Sequence, residues 1–324
     1  MQHPFAPSTP WRECKTILLW GLPEDTPLSM VQQALHRKGC KVAFIDQSEV
    51  LETEVSLIVG DTVHGWVRTP NQVIDLNKVT AAYLRPHESA RLPLIERAGV
   101  GSAAWEHAMR IDDTLLLWAD LTEALVINRP RAMASNNSKP YQSSLIRACG
   151  FATPETLITT SQEAVRIFWT QHQEIIYKSI SGVRSIVSRL SHAHAPRLLH
   201  VASCPTQFQA YIAGTDYRVH VVGEEVFACK IISAASDYRY AVREGMCVSL
   251  FPYTLPQDIV QSCRDLSRAL DLPVAGIDLR KGSDDIWYCF EVNPSPAFSY
   301  YQDMTDQPID EAIAQLLLST KTGL

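Results

Sequence analysis

The segment Tyr288–Pro296 reads Tyr-Cys-Phe-Glu-Val-Asn-Pro-Ser-Pro, and it constrains the chain more than any other stretch. Glu291 and Asn293 are separated by one residue, so on a strand both side chains point to the same face. A carboxylate beside an amide oxygen is a pair of hard oxygen ligands of the kind that Mg²⁺ takes together with water and phosphate. The apolar flanks predict a partly buried strand, and a buried carboxylate needs a partner or a metal.

A third candidate metal ligand, Asp278, comes earlier in the chain within Ala-Gly-Ile-Asp-Leu. The turn-rich residues 281–285 predict a hairpin between the two segments. Across this hairpin we expect Asp278 to lie beside Glu291, within one residue of register. Together with Asn293 they predict a metal–nucleotide site, although acids near a hairpin are usually solvated and Asn-Pro is usually only a turn.

Length, charge and cysteine usage exclude several classes of protein. The 324 residues are enough for two or three packed units, each with its own core. The net charge is −6 and basic residues form no run, so nucleic-acid binding is not expected. No apolar stretch has the length of a membrane span, and the N-terminus lacks the regions of a signal peptide. The eight scattered cysteines include no Cys-x-x-Cys pair, which predicts free thiols and a cytoplasmic protein.

The chain begins with a predicted loose tail, residues 1–11, and an α/β domain, residues 12–128. The domain opens with a buried strand near 15–20, a helix near 28–38 and a strand near 41–46. This strand–helix–strand order is typical of a parallel sheet. The remaining predicted elements are short strands near 56–59, 65–68, 72–76 and 80–84 and a long helix from 102 to about 125.

Two lysines occupy unusual places in the first of two further predicted lobes, 129–206 and 207–324. Lys139 falls in the first turn of a helix that Asn137 can cap. Lys178 falls in the middle of an apolar strand, where an ammonium is costly unless it meets an anion; the alternative is a lysine that reaches solvent at a sheet edge.

The loop after Lys178, residues 179–185, contains one glycine, nearby hydroxyl groups and an arginine. Such a loop can fold its N–H groups over phosphates. The chain contains neither a P-loop motif nor Gly-x-Gly-x-x-Gly, so nucleotide binding through those motifs is not expected. A cluster of three histidines, at 192, 194 and 200, lacks a carboxylate or cysteine at ligand spacing and is interpreted as a loop.

The order of these parts resembles that of the ATP-grasp carboxylate–amine ligases, from about Asn128 to Gln302. In that family the order is a lysine on a helix, a lysine on a strand with a phosphate-covering loop, an adenine-holding hinge and a C-terminal Asp…Glu-x-Asn metal set. The resemblance implies an α/β, ATP-grasp fold, in which an N-terminal open α/β sheet domain precedes two α+β lobes that clamp ATP. It also implies ATP and Mg²⁺ as cofactors.

The resemblance assigns a set of binding residues to this chain. The nucleotide would be bound by Lys139, Lys178, Ser181, Gly182, Gln209, Ala210, Tyr211, Ile212 and Asp216. The lysines would bind the α- and β-phosphates, and the hinge would hold adenine through backbone groups. The metal would be bound by Asp278, Glu291 and Asn293.

Within the family, the chain is similar to the branch that contains the ribosomal-protein glutamate-adding ligase and the graspetide (microviridin-type) peptide ligases. Residues 214–228 resemble that branch's Asp-x-Arg strand, Gly turn and second strand, and residues 236–239 resemble its Asp-aromatic-Arg segment. By this resemblance Asp216 contacts the ribose, Arg218 faces the phosphate or acyl intermediate, and Arg239 contacts the phosphates; Arg218 and Arg239 are the catalytic candidates.

The sequence alone does not fix the roles of two nearby side chains, His220 and Lys230. His220 shares a strand face with Arg218 and is interpreted as a packed neighbour. Lys230, on the return strand, joins Arg218 only if the register is right, and a slip of one residue puts it on the other face.

The peptide-ligase reading rests on Ala82–Pro86, which resembles the aromatic-Tyr-Arg-Arg segment of graspetide ligases but keeps one arginine, Arg85. We expect Arg85 to hold an acidic substrate side chain; the alternative is a plain surface arginine. The family resemblance as a whole implies an enzyme that activates a carboxylate as an acyl phosphate for attack by an amine or hydroxyl, on a peptide, and it implies a homo-oligomer, namely a dimer. The alternatives are an intermolecular amino-acid or metabolite ligase and a catalytically silent nucleotide- or peptide-binding module.

Overall fold

The computed structural model describes residues 16–134, 139–179, 187–233 and 247–319. Its backbone contacts divide the chain into two compact units, Met1–Ile127 with Asp310–Leu324 and Asn128–Ile309. The further division into lobes 129–206 and 207–324 stays a prediction.

The first unit is built around a parallel sheet. Its elements are β1 (Thr16–Gly21), α1 (Thr26–Arg37), β2 (Val42–Asp46), β3 (Glu54–Val59), β4 (Val63–Thr69), β5 (Gln72–Asp75), β6 (Val79–Arg85), α2 (Pro93–Ala98), α3 (Ala103–Leu121) and β7 (Leu125–Ile127). The parallel sheet has the order β2-β1-β6-β7, and β3, β4 and β5 form a separate antiparallel sheet. The predicted parallel sheet is thereby confirmed.

Local sequence explains where the helices of this unit begin. The carboxylate of Asp25 accepts a hydrogen bond from the N–H of Leu28 at 2.9 Å and so caps α1. Ser102 caps α3 in the same way. The prediction that the long helix reaches about residue 125 is wrong, because α3 ends at Leu121. The apolar residues Leu125–Ile127 instead form β7, an edge strand beside β6.

The second unit contains two antiparallel sheets. Its elements are α4 (Pro130–Met133), α5 (Lys139–Ala148), β8 (Thr156–Thr159), α6 (Gln162–His172), β9 (Ile175–Ser179), β10 (Ser188–Arg189), β11 (Thr206–Ala210), β12 (Gly214–Val222), β13 (Glu225–Ser233), β14 (Val248–Tyr253), α7 (Gln257–Ala269), β15 (Val274–Gly282), β16 (Trp287–Asn293) and α8 (Ser299–Thr305). One sheet has the order β10-β9-β11-β8 and the other β14-β13-β12-β15-β16.

The five-stranded sheet separates an apolar face from a charged face. Apolar residues of α7, such as Leu266, form one cluster with Val219 of β12 and Ile277 of β15. Because side chains alternate along a strand, the residues between them point to the opposite face. That face carries the charged residues of the candidate site.

The chain ends with α9 (Ile309–Leu318), at the bounds predicted from the sequence. The guanidinium of Arg37, in the last turn of α1, pairs with Asp310 at 3.0 Å and with Glu311. Residues of the C-terminal helix therefore pack within the first unit. Within the described ranges, no helix is both long and apolar enough to cross a lipid bilayer.

Candidate functional site

Asp278 and Glu291 are direct partners across the β15–β16 hairpin, which confirms the predicted register. Asn293 is the partner of Gly276, further along the same two strands. Glu291 and Asn293 therefore stand on one face of the sheet. The hairpin brings two carboxylates and one amide to neighbouring positions.

The register of this hairpin shifts directly after Asp278, because Leu279 pairs with Cys289 rather than with Phe290. Phe290 is thus an extra residue in β16, a β-bulge. Phe290 and Glu291 both line one cleft, whereas Cys289 belongs to the buried core. In a regular strand the two adjacent side chains would point to opposite faces. The bulge thus brings an aromatic ring to the cleft beside the carboxylate.

Arg218 is the buried cation of the site. It is the β12 partner of Asp278, and its Nη1 donates to Asp278 Oδ1 at 2.6 Å. Only 5% of Arg218 is exposed, and its guanidinium carbon lies 5.5 Å from the ring centroid of Tyr301. A Cβ on Gly276 would overlap Nη2 of Arg218 and the Cβ of Pro296. Glycine at this position therefore makes room for the guanidinium.

His220 lies two residues further along β12 and is fully enclosed, with 1% of its surface exposed. Its ring and the ring of Tyr301 pack in a T-shaped arrangement, with a centroid distance of 5.0 Å. Burial, and then the charge of Arg218, hold the pKa of His220 well below its usual range. The imidazole is therefore neutral, which agrees with the prediction that His220 is a packed neighbour of Arg218.

A cleft of the second unit is lined by both of its sheets. Its empty space, counted together with the open solvent at its mouth, is about 820 Å³. Its lining residues are Ile176, Lys178, Val187, Gln209, Ala210, Tyr211, Ile212, Asp216, Tyr217, Asp278, Leu279, Arg280, Phe290 and Glu291. Most of the residues predicted to bind nucleotide and metal are thus brought together, while Arg218 and Asn293 are not part of this lining.

Lys178 and Gln209 belong to the cleft side of the four-stranded sheet. Their neighbours Tyr177 and Phe208 pack with the apolar cluster, so alternation points Lys178 and Gln209 the other way. Lys178 is 8% exposed and Gln209 is 6% exposed. Lys178 is therefore a buried residue of a central strand and does not simply reach solvent at a sheet edge.

The orientation of the Gln209 amide follows from its neighbours. The hydroxyl of Thr156 donates to the carbonyl of Pro154 at 3.0 Å, so it accepts from Gln209 Nε2, also at 3.0 Å. The Oε1 of Gln209 therefore faces away from Thr156. This oxygen is buried and has no hydrogen-bond partner among the described residues. A buried acceptor without a donor needs a ligand or a water.

The hinge after β11 is held by backbone hydrogen bonds. The N–H of Ala210 donates to the carbonyl of Glu155 and that of Tyr211 to the carbonyl of Glu174, both at 3.0 Å. The N–H of Ile212 donates to no other residue in the described part of the chain. That N–H is the hinge donor that remains for a ligand.

Arg280 is a site residue that was not predicted from the sequence. Its Nε and Nη2 donate to the two carboxylate oxygens of Asp216, at 2.6 and 2.9 Å. Its Nη1 donates to the carbonyl of Ile212 at 2.7 Å. The signal was present, because Asp278 and Arg280 are two residues apart on a predicted strand and therefore share a face.

The residues directly after β16 are fixed by a buried amide. Nδ2 of Asn128 donates to the carbonyls of Val274 and Pro294, and the N–H of Val274 donates to Oδ1 of Asn128. Asn128 is 3% exposed. Helix α5, which begins at Lys139, packs against β16.

Arg85 forms an ion pair with Asp25 inside the first unit. Its Nε donates to Asp25 Oδ1 at 2.7 Å and its Nη2 to Oδ2 at 3.2 Å. Both side chains are nearly buried, with 10% and 11% exposed. Arg85 is thus not a plain surface arginine, and its contact with a substrate stays a prediction.

The remaining predicted residues have different outcomes. Lys230 pairs with Tyr217, so it stands on the face opposite to Arg218. Ser181, Gly182 and Arg239 lie outside the described residues. No group of three His, Cys, Asp or Glu side chains within the described ranges is arranged to hold a metal. A metal at the hairpin therefore depends on two carboxylates, the Asn293 amide and ligands from the substrate.

Comparisons with known proteins place the fold. Residues 140–317 match the RimK-like ATP-grasp domain family. A solved structure of a RiPP-associated ATP-grasp ligase of Chryseobacterium gregarium, in complex with ADP and a leader and core peptide, is 22% identical with a TM-score of 0.81; the match covers 95% of this chain and 98% of that chain. None of the curated proteins matches the chain.

Two further structures are similar over the same length. The macrocyclase MdnC of Microcystis aeruginosa MRC, bound with precursor peptide MdnA, is 22% identical with a TM-score of 0.78, covering 94% of this chain and 99% of that chain. The ATP-grasp ligase PsnB, complexed with a phosphomimetic variant of its minimal precursor, Mg and ADP, is 23% identical with a TM-score of 0.76, covering 94% and 98%. These likenesses confirm the predicted fold, and together with the family match they agree with the predicted branch and with the predicted enzyme class, an ATP-grasp ligase. Because the family match spans more than half of the 324 residues, the chain belongs to the RimK-like ATP-grasp domain family.

Proposed function

We propose that this chain is an ATP- and Mg²⁺-dependent ligase that activates a carboxylate of a peptide substrate for attack by an amine or a hydroxyl group. The observation that carries the proposal is the cleft of the second unit. One wall supplies Lys178 and the hinge, and the other supplies the paired carboxylates of Asp278 and Glu291. A bound triphosphate needs cationic, metal-binding and base-binding groups of this kind around a single cleft.

The hinge end of the cleft suits adenine. The unpaired Oε1 of Gln209 is an acceptor for the exocyclic amino group, and the N–H of Ile212 is a donor for a ring nitrogen. Guanine has a carbonyl where adenine has the amino group, so it would oppose one acceptor to another. We therefore assign the base-binding role to residues 209–212, with Gln209 contributing its side chain as well as its backbone.

The hairpin end of the cleft suits Mg²⁺. Asp278, Glu291 and Asn293 supply hard oxygen ligands, and Mg²⁺ is usually held by one or two carboxylates together with water and substrate phosphates. Oδ1 of Asn293 accepts from the N–H of Ser295 at 2.9 Å, and Asp278 accepts from Arg218, so both side chains are oriented by neighbours. When bound, Mg²⁺ neutralises charge on the phosphate oxygens.

The proposed reaction has two steps. A carboxylate oxygen of the substrate attacks the terminal phosphorus of ATP, and the bond from that phosphorus to the bridging oxygen breaks, which gives an acyl phosphate and ADP. An amine or hydroxyl then attacks the acyl carbon and loses its proton, and inorganic phosphate leaves with the electrons of the broken C–O bond. The protein positions the reactants and offsets charge.

Side chains of the chain have separate roles in that scheme. We assign Lys139 and Lys178 to the α- and β-phosphates, and the loop with Ser181 and Gly182 to covering them. Arg218 and Arg239 offset charge on the transferring phosphoryl group. These roles follow from the family resemblance, and for Lys178 also from its burial in the wall of the cleft.

A peptide substrate is supported by the length of the structural likeness. The C. gregarium ligase and MdnC are matched over 94–95% of this chain, and both are solved with their peptides. We further propose a cytoplasmic location, in keeping with the free cysteines of the described residues. The family resemblance also leads us to propose a homodimer. Intermolecular ligation of an amino acid or metabolite, and a silent binding module, remain the alternatives.

One experiment separates the three outcomes. The chain is incubated with ATP, Mg²⁺ and a synthetic precursor peptide taken from a short gene beside its own, and both ADP and peptide mass are followed. We expect loss of one water from the peptide for each ADP formed. A gain in mass from an added amino acid would indicate intermolecular ligation. Nucleotide binding without any ADP would indicate the silent module.

Glu291→Gln tests the metal assignment within the same assay, because the amide keeps the shape of the side chain but loses its charge. We expect ADP formation to be abolished while the fold is kept. The matched control is Asp285→Asn in the turn of the same hairpin, where the carboxylate is 86% exposed and pairs with Lys281. Full turnover in Glu291→Gln would refute the metal site.

A further inference from the structure

Arg280 and Asp216 form a two-pronged ion pair in the wall of the cleft. They are direct partners across β12 and β15, and each carboxylate oxygen accepts one guanidinium N–H. The side chains are only 15% and 27% exposed. Parallel hydrogen bonds of this kind fix the direction of a carboxylate as well as its distance.

The guanidinium is also held from its other sides. Its third hydrogen bond goes to the carbonyl of Ile212 in the hinge. Its central carbon lies 5.7 Å from the ring centroid of Tyr211 and 5.2 Å from that of Phe290, distances at which a cation and an aromatic face attract. Phe290 reaches this place because of the bulge in β16. Arg280 thus connects the hinge to Asp216 with little freedom of its own.

The paired carboxylate of Asp216 keeps acceptor capacity for a ligand. An ionised carboxylate has about four lone-pair sites, and Arg280 uses one on each oxygen. Asp216 lines the cleft between the hinge and the hairpin carboxylates. Hydroxyl groups of a sugar between a base at the hinge and phosphates at the hairpin are the donors that fit these remaining sites.

We propose that Arg280 is a positioning residue of the nucleotide site, which holds the Asp216 carboxylate in the orientation that accepts hydrogen bonds from the ribose hydroxyl groups. This inference rests on the proposed function, because it needs the nucleotide in this cleft. Arg280 would thus affect which sugar is bound without contacting the sugar. It acts through Asp216, whose carboxylate it connects to the base-binding hinge.

A purely structural cross-strand pair predicts something different. Loss of such a pair lowers stability and weakens the binding of all nucleotides alike. Loss of a positioning residue weakens the binding of nucleotides that donate a ribose hydroxyl to Asp216 more than the binding of deoxynucleotides that lack this hydroxyl. The ratio of two affinities therefore separates the two roles, and stability alone does not.

The experiment measures the dissociation constants of ATP, 2′-deoxy-ATP and 3′-deoxy-ATP with Mg²⁺ for the full chain. We expect the wild type to prefer ATP over at least one deoxynucleotide by about tenfold, as for one hydrogen bond to a charged acceptor. In Arg280→Gln that preference should fall to about twofold or less. Asp216→Asn is the reference variant and should lose the preference to the same extent.

Arg268→Gln is the matched control. Nη2 of Arg268 donates to both carboxylate oxygens of Glu224, at 2.7 and 2.6 Å, on the surface of the same unit. Removing that pair should leave the ATP preference unchanged. If Arg280→Gln does not fold, as judged by circular dichroism, Arg280→Lys replaces it, because a lysine keeps the charge but cannot form both hydrogen bonds in parallel.

The outcomes for the inference and for the proposed function are distinct. A wild type that binds no nucleotide would overturn the proposed function itself. A wild type that binds ATP and both deoxynucleotides equally would overturn the inference alone, and so would an Arg280 variant that keeps the full preference.

Discussion

The side-chain amide of Gln142 is hydrogen-bonded to both backbone polar groups of Val292. Nε2 of Gln142 donates to the carbonyl at 2.8 Å, and the N–H of Val292 donates to Oε1 at 3.2 Å. β16 is the last strand in the order of the five-stranded sheet. On its outer side Ala152 forms a bridge opposite Tyr288, and at Val292 the Gln142 amide takes the place of a paired residue. Val292 stands between Glu291 and Asn293. The helix that begins at Lys139 therefore fixes the backbone between two proposed metal ligands.

Gln142→Leu should disturb both stability and metal dependence. It leaves the N–H and carbonyl of Val292 buried without partners, which costs about 2–4 kcal/mol of unfolding free energy. Because Glu291 and Asn293 flank Val292, the Mg²⁺ concentration needed for half-maximal ADP formation should also rise. Urea denaturation and a Mg²⁺ titration measure the two effects. The control Gln261→Leu removes an exposed amide bonded to Asp265 and should change neither. An unchanged Mg²⁺ requirement in Gln142→Leu would contradict the coupling.

Gly276→Ala should reduce activity by displacing Arg218. The added methyl group overlaps the guanidinium, which must then move away from Asp278. We expect a large fall in kcat and a stability loss of about 1–3 kcal/mol, typical of overpacking. Gly60→Ala is the control, because the nearest atom to its new Cβ is 4.0 Å away. Normal kcat in Gly276→Ala would show that the Arg218–Asp278 contact is not needed.

The carboxylate register was predictable from the sequence because it needs only the two-residue period of a strand and a short turn. The bulge at Phe290 was not, because one extra residue in a strand leaves no trace in an apolar pattern. The same limit explains Gln142, which is 150 positions away from the residue that it binds. Nothing local in the segment around Gln142 distinguishes this glutamine from an exposed one.

Arg280 is an intermediate case. Strand alternation places it on the face of Asp278, but its partner depends on which strand of the sheet lies beside β15. That neighbour is β12, about sixty positions earlier in the chain, and the order of strands in a sheet is a tertiary property. Pairing of Asp216 with Arg280 thus required the structure.

Asp112 should make the first unit less stable as the pH rises from about 4 to 6. Burial raises the pKa of Asp112 to about 6, against the hydrogen bond from Ser89, which lowers it. Because this folded-state pKa lies above the ordinary value of 3.8, the native state binds more protons between the two values. The protonated Asp112 carboxyl therefore contributes to the free energy of unfolding at acidic pH, and this contribution is lost as the pH rises from about 4 to 6. Unfolding free energies of Asp112→Asn and wild type, compared by urea titration, should diverge in favour of the variant from pH 4 to 6. A constant difference would contradict the assignment.

Arg85→Ala should destabilise the first unit and leave nucleotide affinity unchanged. It removes the guanidinium from Asp25, whose carboxylate also caps α1, at a cost of about 1–3 kcal/mol. If Arg85 also holds an acidic side chain of the substrate, the KM for the peptide rises while the KM for ATP stays the same. The control Arg91→Ala breaks an exposed pair with Glu88 and should cost less than about 1 kcal/mol. An unchanged peptide KM would leave Arg85 a structural residue only.

Binding of ADP with Mg²⁺ is the most direct test of the nucleotide site in the second unit. Thermal unfolding of the wild type is followed with millimolar ADP, with and without Mg²⁺, and compared with Glu291→Gln. A ligand at a hundredfold excess over its dissociation constant stabilises the folded state by about 2.7 kcal/mol. We predict that ADP with Mg²⁺ raises the melting temperature of the wild type by several degrees and that Glu291→Gln loses the part that depends on Mg²⁺. No rise in the wild type at millimolar ADP and Mg²⁺ would contradict the central claim.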